Sequence, residues 1–178
     1  MFQKKVHFQA VRLTETALCI ALGLLLPTVF HAFGAGNVLL PMHIPVLLCG
    51  LLCGWQYGAV CGMVVPFLSS VFTGMPPIFP VGTAMIFELC AYGLLAGLFY
   101  RVRNWNVYAA LIGAMLGGRL VSGVANTVLM GIAGKPYGFS IFLSSAFITA
   151  WPGIVLQLVL IPILILSLQK SGLITRET

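Results

Sequence analysis

Long apolar runs fill most of the chain, and short segments rich in glycine, proline and polar residues separate them. The pattern predicts an all-α membrane protein with six transmembrane helices. The predicted helices cover residues 11–29, 44–53, 55–72, 80–100, 107–132 and 139–168. Pro27 and a glycine cluster at 34–36 are expected to end the first helix. Pro66 should kink the third, and Pro152 and Pro162 should bend the sixth.

Charge confirms that these runs belong in a bilayer. No Lys or Arg occurs between Leu13 and Tyr100, and the only acids in that stretch are Glu15 and Glu88. A soluble domain is roughly one-quarter charged, whereas this chain is 7% charged and 60% hydrophobic. At about 20 residues per membrane crossing, its 178 residues allow five or six helices. We therefore expect residues 1–178 to form one integral membrane domain.

The basic residues predict the orientation of this bundle. With six spans, one side carries Lys4, Lys5, Arg12, Arg101, Arg103, Lys170 and Arg176, and the other carries Lys135. Cytoplasmic loops are the basic ones, so both termini are predicted to be cytoplasmic. These residues do not form one basic face, so nucleic acid is not an expected partner. The first apolar run is too long for a signal peptide and is interpreted as a retained helix.

Small residues recur at helical spacing. Glycines 50, 54, 58 and 62 recur every fourth residue, and Gly93 and Gly97 repeat the spacing. Such faces let helices approach closely in lipid, so the glycines are predicted to pack the bundle. Ala17 and Ala21 form a similar pair on the first helix, where a partner protein could reach them.

Two ionisable residues lie deep in the predicted membrane. Glu88 is roughly 12 Å from the outer end of the fourth helix, and Arg119 is roughly 18 Å from the inner end of the fifth. Each would cost on the order of 3 kcal/mol if it faced lipid. They could form a buried pair that joins two helices, or they could meet a ligand. Ser122 and Asn126 share the helix face of Arg119 and favour a binding site.

Other candidate ligand residues lie on further segments. Trp151 on the sixth helix lies at a similar depth to this stripe of polar residues and could stack on a ring. His43, between two prolines, could close over a site from outside. Asn37 is a weaker candidate. Phe79 could line the mouth of a site, but aromatic residues at the membrane interface are often simple anchors.

Signatures of catalysis are missing from the sequence. It has no Walker-type phosphate loop, no G-x-S-x-G and no H-E-x-x-H. Cys49 and Cys53 could share one helix face, but a metal site needs further ligands, so packing is the better interpretation. We expect no enzyme activity, no cofactor and no metal.

Four segments carry a resemblance to a known family. LPMHIPVLL at 40–48, GWQYG at 54–58, TGMPPIFP at 73–80 and FELCAYGL at 87–94 resemble the substrate-specific S components of energy-coupling factor (ECF) transporters. The resemblance extends over nearly the whole chain. It implies a protein that binds a vitamin in the outer half of its bundle. It also implies partners, namely a transmembrane coupling subunit and two ATPase subunits, against which the S component topples to carry its ligand inward.

The resemblance also gives a role to the first helix. The family docks its coupling subunit on an Ala-x-x-x-Ala motif, which here matches Ala17 and Ala21. It does not identify the vitamin. Arg119 suits a carboxylate and Asn126 a hydroxyl or amide, which ranks pantothenate first, whereas Trp151 and Phe79 would equally suit riboflavin or cobalamin. The alternatives are an autonomous small-solute transporter or channel, and a membrane enzyme that uses Glu88 or His43.

Overall fold

A computed structural model describes residues 2–32 and 39–171, and in these ranges all the regular secondary structure is helical. Seven helices follow one another in this part of the chain. They are α1 (Phe2–Ala32), α2 (His43–Cys53), α3 (Trp55–Thr73), α4 (Ile78–Val102), α5 (Val107–Ile132), α6 (Phe139–Thr149) and α7 (Trp151–Lys170). Helices α4 and α6 contain π-helical turns, at the end of each helix, and α4 begins with a kink at Phe79, whose backbone is extended.

Five of these helices are long and apolar enough to cross a membrane. The spanning segments are Gln9–Phe30, Trp55–Thr73, Ile78–Val102, Val107–Ile132 and Trp151–Lys170. Helix α2 has 11 residues, or roughly 16 Å at 1.5 Å per residue, which is about half the apolar thickness of a bilayer. The predicted second span is therefore a short helix buried among its neighbours.

Two predictions of helix bounds need correction, one at the end of the first helix and one within the sixth. Helix α1 continues through Pro27 to Ala32, because a membrane helix can lose one backbone hydrogen bond at a proline and continue. The predicted sixth helix is interrupted, since Ala150 lies between α6 and α7. Pro152 explains this break, as it has no N–H to donate to the carbonyl of Ile148.

Backbone contact through glycine holds the centre of the bundle together. A methyl group at Gly93 would overlap the carbonyl of Gly58, and one at Gly50 would overlap the carbonyl of Gly93. The predicted packing role of these glycines is confirmed. Gly54 also separates α2 from α3, because its φ of 103° is one that other residues rarely adopt.

The helix connections define two ends of the bundle. Residues 40–42, 74–77 and 133–138 lie at what we call the His43 end, and residues 54 and 103–106 lie at the Arg101 end. The core of buried apolar side chains lies between these ends and is formed chiefly by α2, α3, α4 and α5, with Ile161 and Ile165 of α7.

Candidate functional site

Glu88 is the centre of a buried polar cluster. Its side chain lies on α4, and the residue is 7% exposed. Oε2 accepts a hydrogen bond from Ser122 Oγ at 2.8 Å. Oε1 lies 3.4 Å from Arg119 Nη1 and 3.5 Å from His43 Nε2. A carboxylate in an apolar interior requires such partners, because burial strongly disfavours an uncompensated charge.

Helix α5 supplies the second half of the cluster. Arg119, Ser122 and Asn126 lie three and four residues apart and therefore share one face. Asn126 Nδ2 donates to the Ser122 carbonyl at 2.9 Å and lies 3.2 Å from Ser122 Oγ. The predicted polar stripe is thus present, and hydrogen bonds link it from Asn126 through Ser122 to Glu88.

His43 lies inside the bundle, which differs from its expected place above the site. It is the first residue of α2 and is 2% exposed. Its backbone N–H donates to the Leu40 carbonyl in the preceding turn, and its ring packs at 81° to the ring of Tyr92, with the two centroids 5.0 Å apart. The turn directs the imidazole inward to Glu88, where the carboxylate compensates its burial.

A cavity of about 380 Å³ opens beside His43. Its walls are formed by the segment Leu40–His43, the segment Gly74–Pro77, and the side chains of Pro27, Val81 and Met85. Because His43 lines this cavity and also contacts Glu88, the cavity adjoins the polar cluster. Its volume lies near the lower end of the ~300–1,000 Å³ typical of small-molecule sites.

The wall at residues 74–77 is held in place by hydroxyl groups at the end of α3. Ser69 Oγ donates to the Met75 carbonyl at 2.8 Å, and Ser70 Oγ donates to the Pro76 carbonyl at 2.7 Å. Both serines are buried. Two short hydrogen bonds to successive carbonyls preorganise this side of the cavity, which reduces the ordering that binding would require.

A second, smaller cavity of about 140 Å³ lies on the opposite side of the cluster, between α5, α6 and α7. Arg119 is its one charged lining residue, and the other walls are apolar. Glu88 therefore lies between His43, which lines one cavity, and Arg119, which lines the other.

The chain matches a family described as "ECF transporter, substrate-specific component" over residues 11–165. The chain belongs to this family. As an ECF substrate-specific component it is a multi-pass membrane protein that binds a substrate and works with an ECF module, and it is not an enzyme. No curated protein and no solved structure gives a significant match.

Two predicted site residues of this ECF component lie away from the cluster. Trp151 is 62% exposed, because it begins the outward stripe of α7 that continues at Val155 and Val159, while Gly153 and Gln157 point inward. Phe79 is 52% exposed. It precedes a proline, and its extended backbone turns the ring away from the lining of the cavity beside His43. Asn37 lies outside the described residues.

The Ala17 and Ala21 side chains are exposed on α1. The opposite face of this helix, with Thr16, Cys19 and Gly23, is buried against the bundle. The alanine pair is therefore accessible from the membrane, as a docking surface would require, and its role stays a prediction.

Sequence reasoning missed two buried polar residues of the interior. Tyr92 follows Glu88 by one helical turn and is fully buried, a spacing that could have signalled its place beside the cluster. Gln157 is 1% exposed and is the single amide within the apolar run of α7. A lone polar residue in the middle of a membrane helix is itself a signal of function.

Proposed function

We propose that this protein captures a vitamin at the outer face of a bacterial plasma membrane and delivers it to an ECF module for ATP-driven uptake. The observation that carries the proposal is the buried cluster of Glu88, Arg119, His43, Ser122 and Asn126 beside a cavity at the His43 end. Such a cluster is costly in a membrane, and a binding role explains why it adjoins a cavity with an ordered wall.

The positive-inside rule supports the orientation of this site. In the proposed topology the chain crosses as six segments, of which α2 is a short one and α6 with α7 forms the last. Arg101 and Arg103 then face the cytoplasm together with both termini, and the His43 end faces outward. The cavity beside His43 would open toward the medium, where a nutrient is captured.

Pantothenate is the ligand that the site favours first. Arg119 supplies a fixed positive charge for a carboxylate, and the Ser122–Asn126 pair offers hydrogen bonds for hydroxyl or amide groups. The cavity of about 380 Å³ is lined by His43 and not by Arg119, so a ligand that enters there would reach Arg119 only if His43 and Glu88 moved aside. Riboflavin and cobalamin rank next, although a corrinoid is far larger and would require the outer segments to separate.

Uptake by toppling requires a smooth surface for the coupling subunit. The exposed pair Ala17 and Ala21 is proposed as that surface, because small side chains permit close helix contact in lipid. The coupling subunit and two ATPase subunits would then drive transport by ATP hydrolysis, because this chain has no phosphate-loop motif of its own.

The first test is to identify what the protein carries. The full chain, expressed without partners and purified in mild detergent, should retain a vitamin that mass spectrometry detects after denaturation. Co-expression with an ECF module should yield a complex that co-purifies. Ligand uptake by the isolated chain in a host without any ECF module would favour the alternative of an autonomous transporter.

A further inference from the structure

A cavity of about 240 Å³ lies at the Arg101 end of the bundle, away from the cavity beside His43. It opens between the ends of five helices. Its lining includes Arg12 of α1, Cys53 of α2, Trp55 of α3, Arg101 of α4 and Gln169 of α7. The ends of membrane helices lie at the depth of the lipid headgroups, so this cavity faces the membrane interface.

Two guanidinium groups give this cavity a positive charge. Arg12 and Arg101 both line it, and none of the lining residues that the structure describes is acidic. Glu15 lies next to the lining residue Cys53, with Oε2 3.5 Å from Sγ, but it is not part of the lining itself. The charged groups that line the cavity are therefore both positive, and an anion is the ligand that matches them.

The beginning of α3 adds to this positive field. The first N–H groups of a helix have no acceptor within the helix, and here they belong to Trp55–Tyr57, which line the cavity. Gly54 is the N-cap and offers no side chain to accept from them. At the end of α2, by contrast, the Leu51 carbonyl accepts a hydrogen bond from Arg101 Nε at 3.1 Å. The dipole of α3 thus favours an anion at the same place as the two arginines.

Aromatic and apolar side chains border the charged part of the cavity. Trp55, Tyr57 and Tyr100 line it, and Trp and Tyr concentrate where a membrane meets water. Gln169 fixes one wall, because its Nε2 donates to Tyr100 Oη. Val102 also lines the cavity and is exposed. Apolar surface therefore adjoins the positive charge, as a ligand with both a phosphate and acyl chains requires.

We propose that this cavity binds the phosphate of an anionic phospholipid. Basic pockets between membrane helices on the cytoplasmic side bind such headgroups. The two arginines and the N-terminus of α3 repel the cation of a zwitterionic headgroup, so a glycerol headgroup is favoured over a choline headgroup. The site belongs to the cytoplasmic leaflet if the proposed topology holds, whereas the binding itself does not depend on that topology.

The size of the cavity favours a lipid over the other anions that could enter it. At about 240 Å³ it is smaller than the ~300–1,000 Å³ typical of sites that enclose a whole small molecule. A phosphate group fits it, with the acyl chains outside against the apolar rim. An acidic segment of a partner protein would need an open surface, whereas this cavity is recessed between helix ends.

The test measures which lipid the full chain retains. The protein in mild detergent is mixed with equal amounts of phosphatidylglycerol and phosphatidylcholine that have identical acyl chains, and native mass spectrometry counts each lipid in the complex with one lipid bound. At about 1 kcal/mol for each arginine, we expect phosphatidylglycerol to be favoured on the order of 10-fold or more.

Three variants and a control locate the preference. Arg12→Gln and Arg101→Gln should each reduce it about 5-fold, and Arg12→Lys should retain most of it. The control is Arg103→Gln, which removes the same charge at the same end from an exposed residue outside the cavity, and it should keep the preference. Because Arg101 also bonds the end of α2, the comparison of Arg12→Gln with Arg12→Lys decides the result if Arg101→Gln does not fold.

Three outcomes would overturn the proposal. An equal loss in Arg103→Gln and in the cavity variants would show general attraction between charges and no site. A rise in melting temperature with inorganic phosphate, without any preference for phosphatidylglycerol, would assign the cavity to a free anion. Cavity variants that keep the lipid preference and lose co-purification with the ECF module would assign it to an acidic segment of a partner.

This site and the proposed vitamin site can fail independently, because they lie at opposite ends of the bundle. The vitamin carried through purification should stay the same in Arg12→Gln and in Arg103→Gln. Loss of lipid preference with the vitamin retained supports the lipid site, and a protein that carries no vitamin can still be tested for its lipid preference.

Discussion

Arg119 Nη1 lies 3.4 Å from Glu88 Oε1 in the interior of the bundle, and both side chains are about nine-tenths buried. The two residues come from adjacent helices and compensate each other's charge. Such a pair is weak evidence for stability, because desolvation of both ions opposes their attraction. Under the proposed function, Arg119 would exchange Glu88 for a charged group of the ligand. The following predictions test that role and the surfaces around it.

Replacement of Arg119 separates the binding role from the structural one. We expect Arg119→Ala to weaken vitamin binding by about 1–3 kcal/mol if the guanidinium bonds the ligand. It should also lower the stability of the ligand-free protein, because Glu88 is left without its fixed positive charge. Titration calorimetry and thermal unfolding of the purified protein measure the two effects.

The double variant Glu88→Gln/Arg119→Met is the control for charge burial. It removes both ions, so the ligand-free double variant should be more stable than Arg119→Ala and closer in stability to the unmodified protein. Its vitamin affinity should stay reduced. If the double variant recovers full affinity, Arg119 serves the fold and not the ligand.

Enlarging the alanine pair on α1 should uncouple binding from transport. We expect Ala17→Leu/Ala21→Leu to abolish uptake with a co-expressed ECF module and to leave vitamin affinity unchanged, since neither side chain touches the buried cluster. Radiolabelled uptake and titration calorimetry give the two measurements. Pull-down with the coupling subunit should fail in the same variant.

Val155→Phe/Val159→Phe provides the matched control for this surface. Both valines are exposed on α7 with the same four-residue spacing, and the change also adds bulk to a membrane-facing stripe. Uptake should persist in this variant. Loss of vitamin binding in the alanine variant would show that the α1 surface had been assigned the wrong role.

Gly93 is the most restrictive contact in the helix packing. Gly93→Ala should destabilise the protein by about 1–3 kcal/mol, because the added methyl overlaps the Gly58 carbonyl. Gly131→Ala is the control, as nothing lies within 4 Å of a methyl group at that position. It should be neutral or stabilising by up to about 1 kcal/mol. Unfolding curves in detergent that shift equally for both variants would contradict the close approach of α3 and α4.

Single cysteines can test the orientation in intact cells. In a background with the five native cysteines replaced by serine or alanine, Lys135→Cys should react with a membrane-impermeant maleimide. Arg103→Cys should react only after the cells are permeabilised. The positive-inside rule gives this expectation, and the reverse labelling pattern would place the His43 end in the cytoplasm.

The helices themselves were largely predictable from the sequence. The predicted bounds of α5 match the structure, and Asn106 caps this helix by accepting a hydrogen bond from the Ala109 N–H at 2.7 Å. The polar stripe through Arg119, Ser122 and Asn126 was also predictable. Apolar run length, helical period and capping are local properties, so they can be read without knowledge of neighbouring helices.

Tertiary structure decided where the polar and aromatic side chains point. His43 was expected above the site but lies inside it, because the carboxylate that compensates its burial comes from a residue 45 positions away. Trp151 and Phe79 face outward, because the rotation of α7 and the extended backbone before Pro80 orient them so. Gln157 is 1% exposed because α7 packs this face against the bundle. These relationships depend on contacts between distant segments, and such contacts exist only after the helices have assembled.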